Sequence, residues 1–463
     1  MIRVNNIHLS LDYDDKSVRK AVAQQLRIEE KSIKSCTIFR RSVDARKKDN
    51  IYFLTTVDAE LNINEDKVCK KCGNAQIAKK YEYNQMKFGN APSPVVVGAG
   101  PAGLFAALIL ARSGANPILI ERGRDVDRRT ADVNRFWTSG QLDTTSNVQF
   151  GEGGAGTFSD GKLNSGTKDI RQRKVLEEFV SHGAPDEILY NAKPHIGTDM
   201  LKGTIKNIRN EIIELGGSVM FETKLVSMAF SDNKLKSITV ETANGDEIIE
   251  TDNVILAIGH SARDTFEMLY DLKLPIEAKP FSVGARIEHL REKVDKAQYG
   301  RFAGNKKLGS ANYKLSTHLD NGRGVYTFCM CPGGKVVNAS SEENRLCTNG
   351  MSEFARNAEN SNSALLVGIN PDDYESDHPL AGMYLQRKLE SKAFVAGGEN
   401  YNAPIQRVDD FLNNRKSTHL GDVKPSIGPN YEFSNLNEIL PEYVSTSMAQ
   451  GIVKMGRMLH GFD

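Results

Sequence analysis

The pattern of apolar and polar positions is clearest over residues 94–123, where it predicts a strand, a helix and a second strand. The first run, Val95–Val97, is wholly apolar and β-branched, which is typical of a buried parallel strand. An apolar run of helix-forming residues follows at 102–112, and residues 117–120 are a second apolar run. This β-α-β order predicts an α/β fold with a parallel sheet.

Three glycines between the first strand and the helix have the spacing G-x-G-x-x-G. In this pattern Gly98 permits a tight turn, Gly100 lets backbone approach a pyrophosphate, and Gly103 lets helix and strand pack closely. Unpaired N–H groups and the positive end of the helix dipole then face the phosphates. Glu121 ends the second strand 18 residues after Gly103, where it can accept hydrogen bonds from ribose hydroxyls. The pattern predicts a dinucleotide site.

A second glycine-dense segment runs from Gly151 to Gly156 and also spells G-x-G-x-x-G. It is not a second dinucleotide fingerprint, because no apolar strand precedes it and residues 158–164 lack a helical pattern. Dense glycine suits a loop whose backbone approaches a flat or anionic ligand. A mobile surface loop is the alternative interpretation.

The pattern after this loop predicts a helix, a β-meander and a returning strand. These elements are the helix at 204–215, the meander at 219–221, 225–230, 235–242 and 247–250, and the strand at 253–258. The returning strand ends at Gly259 and brings backbone beside the first β-α-β unit. His260, the next residue, either touches a flavin or begins the following helix. This order is typical of FAD-binding folds and differs from that of simple NAD dehydrogenases.

The first 85 residues predict a separate small α+β domain. Periodicity indicates a strand at 2–11, a helix at 16–26, and strands at 35–40 and 51–61. A β-α-β-β order suggests a ferredoxin-like fold. Polar residues 79–93 follow as a linker.

Two features of this domain admit more than one role. Residues 40–48, RRSVDARKK, either bind an anionic partner or RNA, or form a solvated loop or an interdomain contact. Cys69 and Cys72 form a C-x-x-C motif. A zinc site needs four ligands and no matching pair follows nearby, so a surface turn is the simpler interpretation beside a redox or metal role.

The segment at 280–289 has a strand pattern with alternating polar positions. Its Arg286 can fix an anionic substrate and its Glu288 or His289 can transfer protons, with structural salt bridging as the alternative. The C-x-C motif at Cys329-Met330-Cys331 places both sulfurs on one face of a predicted strand. There a redox role beside a flavin competes with plain packing.

Composition narrows the partner classes. The net charge is +1, with 26% charged and 39% hydrophobic residues, which argues against nucleic-acid binding or membrane-surface binding through bulk charge. No apolar run approaches the ~20 residues of a membrane span, and the first residues lack a signal-peptide core. Six cysteines in 463 residues favour a reducing cytoplasm. No metal-ligand constellation stands out, so no metal site is expected.

Six motifs together resemble one protein family. They are VVVGAGPAGLFAALILARSG, ERG, VQFGEGGAGTFSDGKL, VILAIGHSARDTFEML, PFSVGARIEH and NGMSEFARN. The chain resembles the bacterial FAD-dependent dehydrogenases that carry an N-terminal accessory domain. That family is distantly similar to geranylgeranyl reductases and flavin hydroxylases. The resemblance covers nearly the whole chain.

The resemblance implies FAD as the cofactor and a set of residues that bind it through backbone or side chain. They are Gly98, Gly100, Pro101, Ala102, Gly103, Glu121 and Arg122 at the dinucleotide, Gly153, Gly154, Ala155, Gly156, Thr157 and Lys162 near pyrophosphate and flavin, Val226 at the adenine, and Gly259 closing over the cofactor.

The expected domains are an accessory domain at 1–85, an FAD-binding domain of parallel sheet plus β-meander at 93–275, a mixed-sheet substrate domain at 276–426, and a segment at 427–463 that returns toward the FAD domain. Family members carry a further segment with a last Gly-Glu or Gly-Asp motif near the flavin ribityl chain. We find no such motif in this sequence and expect weaker FAD binding without it.

The expected function is an FAD-dependent oxidoreductase that transfers hydride between an unknown small-molecule substrate and flavin N5. The electron donor or acceptor is open among NAD(P)H, oxygen, a quinone and a protein. Two alternatives remain: a non-catalytic FAD- or nucleotide-binding sensor or scaffold, and a partner- or RNA-binding module that uses the basic stretch.

Overall fold

The computed structural model describes residues 1–79, 81–88, 93–167 and 169–463. The described chain forms two compact units. The first unit comprises Met1–Asn84, Lys162–Ile196 and Arg291–Asn312, and the second comprises Gln85–Gly161, Gly197–Leu290 and Tyr313–Asp463. Within the predicted linker, residues 80 and 89–92 lie outside the described residues.

The strands are β1 (Ile2–Leu9), β2 (Ile33–Asp44), β3 (Tyr52–Leu61), β4 (Ala75–Ile77), β5 (Val95–Val97), β6 (Ile118–Ile120), β7 (Ser218–Met220), β8 (Lys224–Ser231), β9 (Lys234–Thr242), β10 (Gly245–Glu250), β11 (Val254–Leu256), β12 (Phe281–Leu290), β13 (Ser316–His318), β14 (Gly324–Cys331), β15 (Lys335–Asn338), β16 (Thr348–Met351), β17 (Asn360–Ile369), β18 (Ala403–Ile405) and β19 (Tyr431–Phe433).

The helices are α1 (Asp15–Leu26), α2 (Glu65–Lys71), α3 (Pro101–Arg112), α4 (Val126–Ser139), α5 (Gln172–Ser181), α6 (Thr198–Glu214), α7 (Arg263–Asp271), α8 (Arg291–Tyr299), α9 (Ala381–Ala396), α10 (Val408–Leu412), α11 (Leu436–Ile439) and α12 (Glu442–Gly456). Among the described residues, no helix combines the length and the apolar character that a bilayer span requires.

The first unit contains an antiparallel sheet in the order β2-β3-β1-β4, with α1 between β1 and β2 and α2 between β3 and β4. This element order occurs in ferredoxin-like domains, and the assignment to that fold remains a prediction. Its antiparallel strands alternate buried and exposed positions, and β1 and β3 bury one face of the sheet.

Two predictions for this unit need correction. The basic stretch is not a loop throughout, because β2 extends through Asp44. Arg41 donates hydrogen bonds to Tyr13 Oη at 2.9 Å and to Asn191 Oδ1 at 2.9 Å. Cys69 does not lie in a surface turn, because it belongs to the last turn of α2.

The second unit is organised around a parallel sheet in the order β11-β5-β6-β7. Val95, Val97 and Ile120 pack on the meander side of this sheet, against Leu225 and Ile238. Because strand side chains alternate between faces, the intervening residues of β5 and β6 point to the opposite side. The predicted strand–helix–strand order is confirmed, and the sheet positions the turn after β5.

The β-meander is the antiparallel sheet β10-β9-β8. The run predicted at 219–221 as the first meander strand belongs elsewhere, because β7 pairs in parallel with β6. The α/β class with a parallel sheet plus meander is therefore confirmed, with one strand reassigned.

The C-terminal part of the second unit contains an antiparallel sheet in the order β12-β17-β14-β13. Helix α12 packs against this sheet, where a Cβ on Gly451 would lie 2.5 Å from Val325 Cγ1. The predicted return segment thus packs on the antiparallel sheet up to Phe462, whose ring stacks on His289 with centroids 5.0 Å apart. The domain boundaries expected from the resemblance remain predictions.

A bulge interrupts β14 at the C-x-C motif. The register with β17 shifts between Phe328 and Cys331, and Cys329 has a φ of +45°. Side chains therefore do not alternate regularly between the two faces of the sheet at this point. The prediction that both sulfurs share one face assumed regular alternation, and that premise is wrong. Cys331 is fully buried, whereas Cys329 is half-buried.

Candidate cofactor cleft

A tight turn at Gly98 joins β5 to α3. Gly98 has a φ of +102°, and a Cβ there would lie 2.5 Å from the carbonyl oxygen of Ala257. A Cβ on Gly103 would lie 1.8 Å from the carbonyl oxygen of Gly98. Both positions therefore require glycine, as the spacing predicts.

Helix α3 begins without a side-chain cap. Its N-cap is Gly100, and Pro101 occupies the first helical position. The Leu104 N–H is bonded within the helix, to the Gly100 carbonyl at 2.9 Å. The N–H groups of Ala102 and Gly103 precede it at the positive end of the helix dipole. This helix end is suited to phosphate oxygens.

The glycine-dense loop packs directly against this turn. The Gly153 N–H donates to the Ala99 carbonyl at 2.8 Å. Gly154 has a φ of +61°, and a Cβ on it would lie 3.0 Å from Gly100 Cα. The loop is therefore a fixed wall and not an unattached surface loop, and it approaches the turn at a separation that only glycine permits.

A fully buried arginine on α4 holds the loop from behind. The Arg129 guanidinium donates at 2.6–3.2 Å to the backbone carbonyls of Asn147, Val148, Gly151 and Glu152. Burial lowers the pKa of Arg129 to about 10, while the nearby Glu121 and Glu152 carboxylates act in the opposite direction. The Arg129 guanidinium therefore stays charged at neutral pH, and it supplies hydrogen-bond donors to four buried backbone carbonyls.

Glu152 is also fully buried, and one of its oxygens is unpaired. Its Oε2 accepts from the Val126 N–H at 2.8 Å and from Arg209 Nη1 at 2.9 Å. Its Oε1 has no hydrogen-bond partner among the described residues. Burial raises the pKa of this carboxyl, against the Val126 N–H and the Arg209 charge.

Glu121 links three backbone segments. Its carboxylate accepts N–H hydrogen bonds from Ala99 at 2.8 Å, Gly123 at 2.9 Å and Gly151 at 3.0 Å. A carboxylate offers about four lone-pair sites, so these three bonds leave about one for a ligand hydroxyl. The residue is thus an anchor of the turn and the loop in addition to its predicted role at a ribose.

Arg122 is held by side chains in the first turn of α7. It donates to Asp264 Oδ1 at 2.9 Å and to Thr265 Oγ1 at 2.9 Å, and its guanidinium carbon lies 4.5 Å from the Phe150 ring centroid. Burial alone would raise the pKa of Asp264, but the Arg122 and Lys224 cations outweigh it and lower the pKa to about 2. Arg122 therefore has a fixed position.

These segments border a cleft of about 570 Å³, a volume typical of small-molecule sites. The predicted residues that line it are Gly98, Gly100, Pro101, Ala102, Glu121, Arg122, Gly154, Ala155, Gly156 and Gly259. The structure therefore brings residues from the turn, the loop, β6 and the β11 end to one place.

The other predicted residues do not line this cleft. Gly103 and Gly153 support its walls from behind, and Thr157 is fully buried with its hydroxyl donating to the Glu152 carbonyl at 3.3 Å. Val226 is the extra residue of a bulge in β8, so its backbone is unpaired in the β8–β9 ladder. Lys162 belongs to the first unit.

Several lining residues carry no sequence signal of their own. Gln149 lines the cleft and donates from Nε2 to the Ala339 carbonyl at 2.9 Å, while its Oε1 accepts from Ser261 Oγ. His260 also lines it, with Nδ1 3.0 Å from Ser261 Oγ. Burial, reinforced by the Arg263 charge, lowers the pKa of His260. Only the position of His260 after the Ala-Ile-Gly strand pointed to it.

Among the candidates for substrate contact, Arg286 forms no ion pair with a described carboxylate. It donates to Asn362 Oδ1 at 2.6 and 2.8 Å and to the Cys329 carbonyl at 3.1 Å. The predicted salt-bridging role is therefore wrong for this residue. Glu288 accepts from Asn360 Nδ2 at 3.1 Å and from Ser426, and thus ties chain segments together.

The cleft fits FAD on two structural observations. The first turn of α3 presents N–H groups that no side chain caps. Opposite it, Gly154 of the loop approaches Gly100 at a separation that only glycine permits. Arg122 supplies a fixed cation on the same cleft, and the Glu121 carboxylate accepts three amide hydrogen bonds. The residues that would hold the dinucleotide are those that line the cleft, together with the Gly103 N–H in the first turn of α3.

Family models match three parts of the chain. Residues 93–132 match an FAD binding domain, and residues 280–463 match the C-terminal domain-like region of an FAD-dependent protein. Residues 1–60 match a domain of unknown function. An uncharacterized protein of Clostridium beijerinckii is 47% identical over 467 residues, which cover 100% of this chain and 87% of that protein.

The chain belongs to this bacterial family of FAD-dependent proteins. FAD is its cofactor, as the resemblance implied. The identity extends over the whole chain, so the family includes the first unit and the antiparallel sheet as well as the cleft.

Solved structures give weaker likeness. An anhydrotetracycline hydroxylase from Streptomyces rimosus is 15% identical with a TM-score of 0.27, and the match covers 60% of this chain and 45% of that one. An L-amino acid deaminase from Proteus vulgaris is 11% identical with a TM-score of 0.26, covering 59% and 63%. A geranylgeranyl bacteriochlorophyll reductase-like protein from Thermoplasma acidophilum is 12% identical with a TM-score of 0.31, covering 65% and 62%. Likeness at this level assigns no activity.

Replacing Arg129 by methionine should unfold the cleft wall. Arg129→Met leaves four buried backbone carbonyls without their donor, so we expect the free energy of unfolding to fall by about 3–5 kcal/mol. Chemical denaturation followed by the fluorescence of Trp137, the only tryptophan, measures this change.

The neighbouring Arg128→Met is the matched control. Arg128 is 52% exposed and forms surface ion pairs with Asp125 and Glu222, so its loss should cost less than about 1 kcal/mol. Equal effects of the two substitutions would contradict the anchoring role of Arg129.

Two helical glycines should respond in opposite ways to alanine. Gly103→Ala forces a Cβ into the Gly98 carbonyl, so we expect at least about tenfold weaker FAD binding, equivalent to 1.4 kcal/mol. Gly203→Ala, in α6, meets no atom within 4 Å and should leave FAD binding unchanged while stabilising the helix by about 1 kcal/mol. Equilibrium dialysis against FAD and thermal unfolding report the two effects. Unaltered FAD affinity in Gly103→Ala would rule out a cofactor site at this turn.

Proposed function

We propose that this protein is an FAD-dependent oxidoreductase acting on a small-molecule substrate. Bound in the cleft, FAD would supply hydride transfer at flavin N5, with the substrate oxidised as the flavin is reduced, or the reverse. The observation that carries the proposal is the approach of Gly154 to Gly100 beside the uncapped end of α3. The family match to FAD-dependent proteins supports it.

The chain's own residues have separate tasks in this proposal. Backbone N–H groups of Ala102 and Gly103 bind the pyrophosphate, and the remaining lone pair of Glu121 accepts a ribose hydroxyl. Val226, the extra residue of the β8 bulge next to the cleft-lining Leu225, is our candidate for a backbone contact with the adenine. Residues 154–156 bring backbone toward the flavin, and Gly259 closes the cleft from β11.

Arg286 is our candidate for the anionic end of a substrate. Within the described part of the chain, its guanidinium is positioned by neutral acceptors only, and Asn362 Nδ2 beside it is buried without an acceptor. Two donors with unfilled capacity favour a carboxylate or a similar oxygen acceptor. The second half-reaction uses an electron donor or acceptor, for which we propose NAD(P)H visiting the same cleft.

An absorbance spectrum of the purified protein tests the proposal first. We expect flavin bands, and heat release should yield FAD, because the cleft is formed by the fold itself. Anaerobic addition of NADH and NADPH in turn should bleach the bands if a nicotinamide is the donor, and dithionite provides the chemical reference for full reduction.

Two results would count against it. A colourless protein that fails to take up added FAD in dialysis would remove the cofactor role of the cleft. The second result is bound FAD that dithionite reduces but that no other reagent reduces or reoxidises. The reagents tested are nicotinamides, quinones, oxygen and a metabolite panel. This result would contradict an enzyme and favour a non-catalytic FAD-binding sensor.

A further inference from the structure

A second cavity of about 410 Å³ lies in the second unit and shares no lining residue with the cofactor cleft. Three aromatic side chains line it: Phe136 and Trp137 at the end of α4, and Tyr401 from the loop before β18. Val336 and Met351 of the β15–β16 hairpin add apolar surface. Phe136 is only 3% exposed, so the partly exposed rings of Trp137 and Tyr401 are the ones that favour a planar ligand, because aromatic rings stack with specific geometry.

The Tyr401 wall of the cavity is held in a strained backbone conformation. Tyr401 has a φ of +63°, which is an outlier for a bulky residue. Its carbonyl accepts from Asn338 Nδ2 at 2.8 Å, and its hydroxyl accepts from the Asn344 N–H at 3.1 Å. Its ring packs edge-on against Phe136 and Phe394, with centroids 5.2 and 4.9 Å away. Strain of this kind persists only where surrounding contacts fix it, and it clusters at ligand sites.

Trp137 is fixed in a similar way from the other side. Its Nε1 donates to the Asn338 carbonyl at 2.8 Å, and its own carbonyl accepts from Asn430 Nδ2 at 2.8 Å. Because the indole N–H is already satisfied, a ligand meets the ring surface and not the polar tip. The cavity therefore offers ring contact with little reorganisation.

The charge of the cavity has one sign. Lys335 is the only charged residue that lines it among the described residues, and no described carboxylate pairs with this lysine. Lys335 is exposed at the start of β15, where its ammonium can reach a ligand at the cavity mouth while remaining hydrated. A ligand with a negative end is thus favoured over a cation.

We propose that this cavity is a binding site for a planar aromatic carboxylate, with the ring against Trp137 and Tyr401 and the carboxylate facing Lys335. The proposal does not depend on FAD chemistry, because no cleft residue takes part. Val133, Val148, Phe158 and Ala339 form a buried apolar cluster that packs against Trp137.

Trp137 provides a built-in probe, since it is the only tryptophan in the chain. Fluorescence excited at the red edge of the tryptophan band is titrated with trans-cinnamate, its neutral amide cinnamamide, and the non-planar cyclohexanecarboxylate. We expect saturable quenching by cinnamate, and at least about fivefold weaker binding of each analogue, as measured by competition. ADP, a ligand for the dinucleotide cleft, should leave cinnamate binding unchanged.

Lys335→Met removes the charge and keeps most of the side-chain volume. It should weaken cinnamate binding about fivefold and leave cinnamamide binding unchanged. Lys234→Met is the matched control, because Lys234 is an exposed lysine at the β8–β9 hairpin and should have no effect.

Three results would overturn the proposal. They are the absence of saturable quenching by cinnamate, equal affinity for cinnamate and cinnamamide in the wild type, and displacement of cinnamate by ADP. Displacement by ADP would place the ligand in the cofactor cleft. The other two results would leave the FAD spectrum of the protein unchanged. Failure of this proposal is therefore distinguishable from failure of the proposed function.

Discussion

The cofactor cleft depends on one buried charge. Arg129 lies behind the glycine-dense loop and binds the carbonyls of Gly151 and Glu152 in it and those of Asn147 and Val148 just before it. A loop with so many glycines has large conformational freedom when unfolded, so its fixed shape needs a strong compensating interaction. Charge-assisted hydrogen bonds from a fully buried guanidinium provide it. The loop in turn donates the N–H groups of Gly151 and Gly153 to Glu121 and Ala99.

Glu121 shows how a residue with an expected ligand role also builds the site. Its three amide donors come from the turn, from the residues after β6, and from the loop, so one carboxylate sets their spacing. A carboxylate facing a pyrophosphate without such donors would repel it. Here the carboxylate accepts three backbone N–H groups, and the N–H groups at the start of α3 remain for a phosphate. The polar groups of the cleft are therefore held in place by hydrogen bonds within the chain itself.

Local sequence patterns predicted the strands, the helix and the turn of the cleft. They could not predict contacts between residues that are far apart in the chain. Apolar runs identified β5, α3 and β6, and glycine spacing identified the turn, because the chemistry of each lies within a few residues. The run at 219–221 was assigned to the meander because its sequence does not show which sheet edge it joins, and pairing with β6 decided that. Arg129 looked like any charged residue of a polar helix, since its carbonyl partners lie 18–23 positions later. The bulge at Cys329 likewise depends on its partner strand, so no alternation rule could place it.

One helix connects the two cavities of the second unit. Arg129 and Trp137 are eight residues apart on α4, which corresponds to about 12 Å along the helix axis. Arg129 fixes the loop at one end, while Trp137 and Phe136 line the second cavity at the other. Transmission between sites requires an element with two discrete arrangements, and the four hydrogen bonds of Arg129 hold α4 against the loop in one. We therefore expect each cavity to bind its ligand independently, with α4 lining the second cavity directly and supporting the loop that lines the cleft.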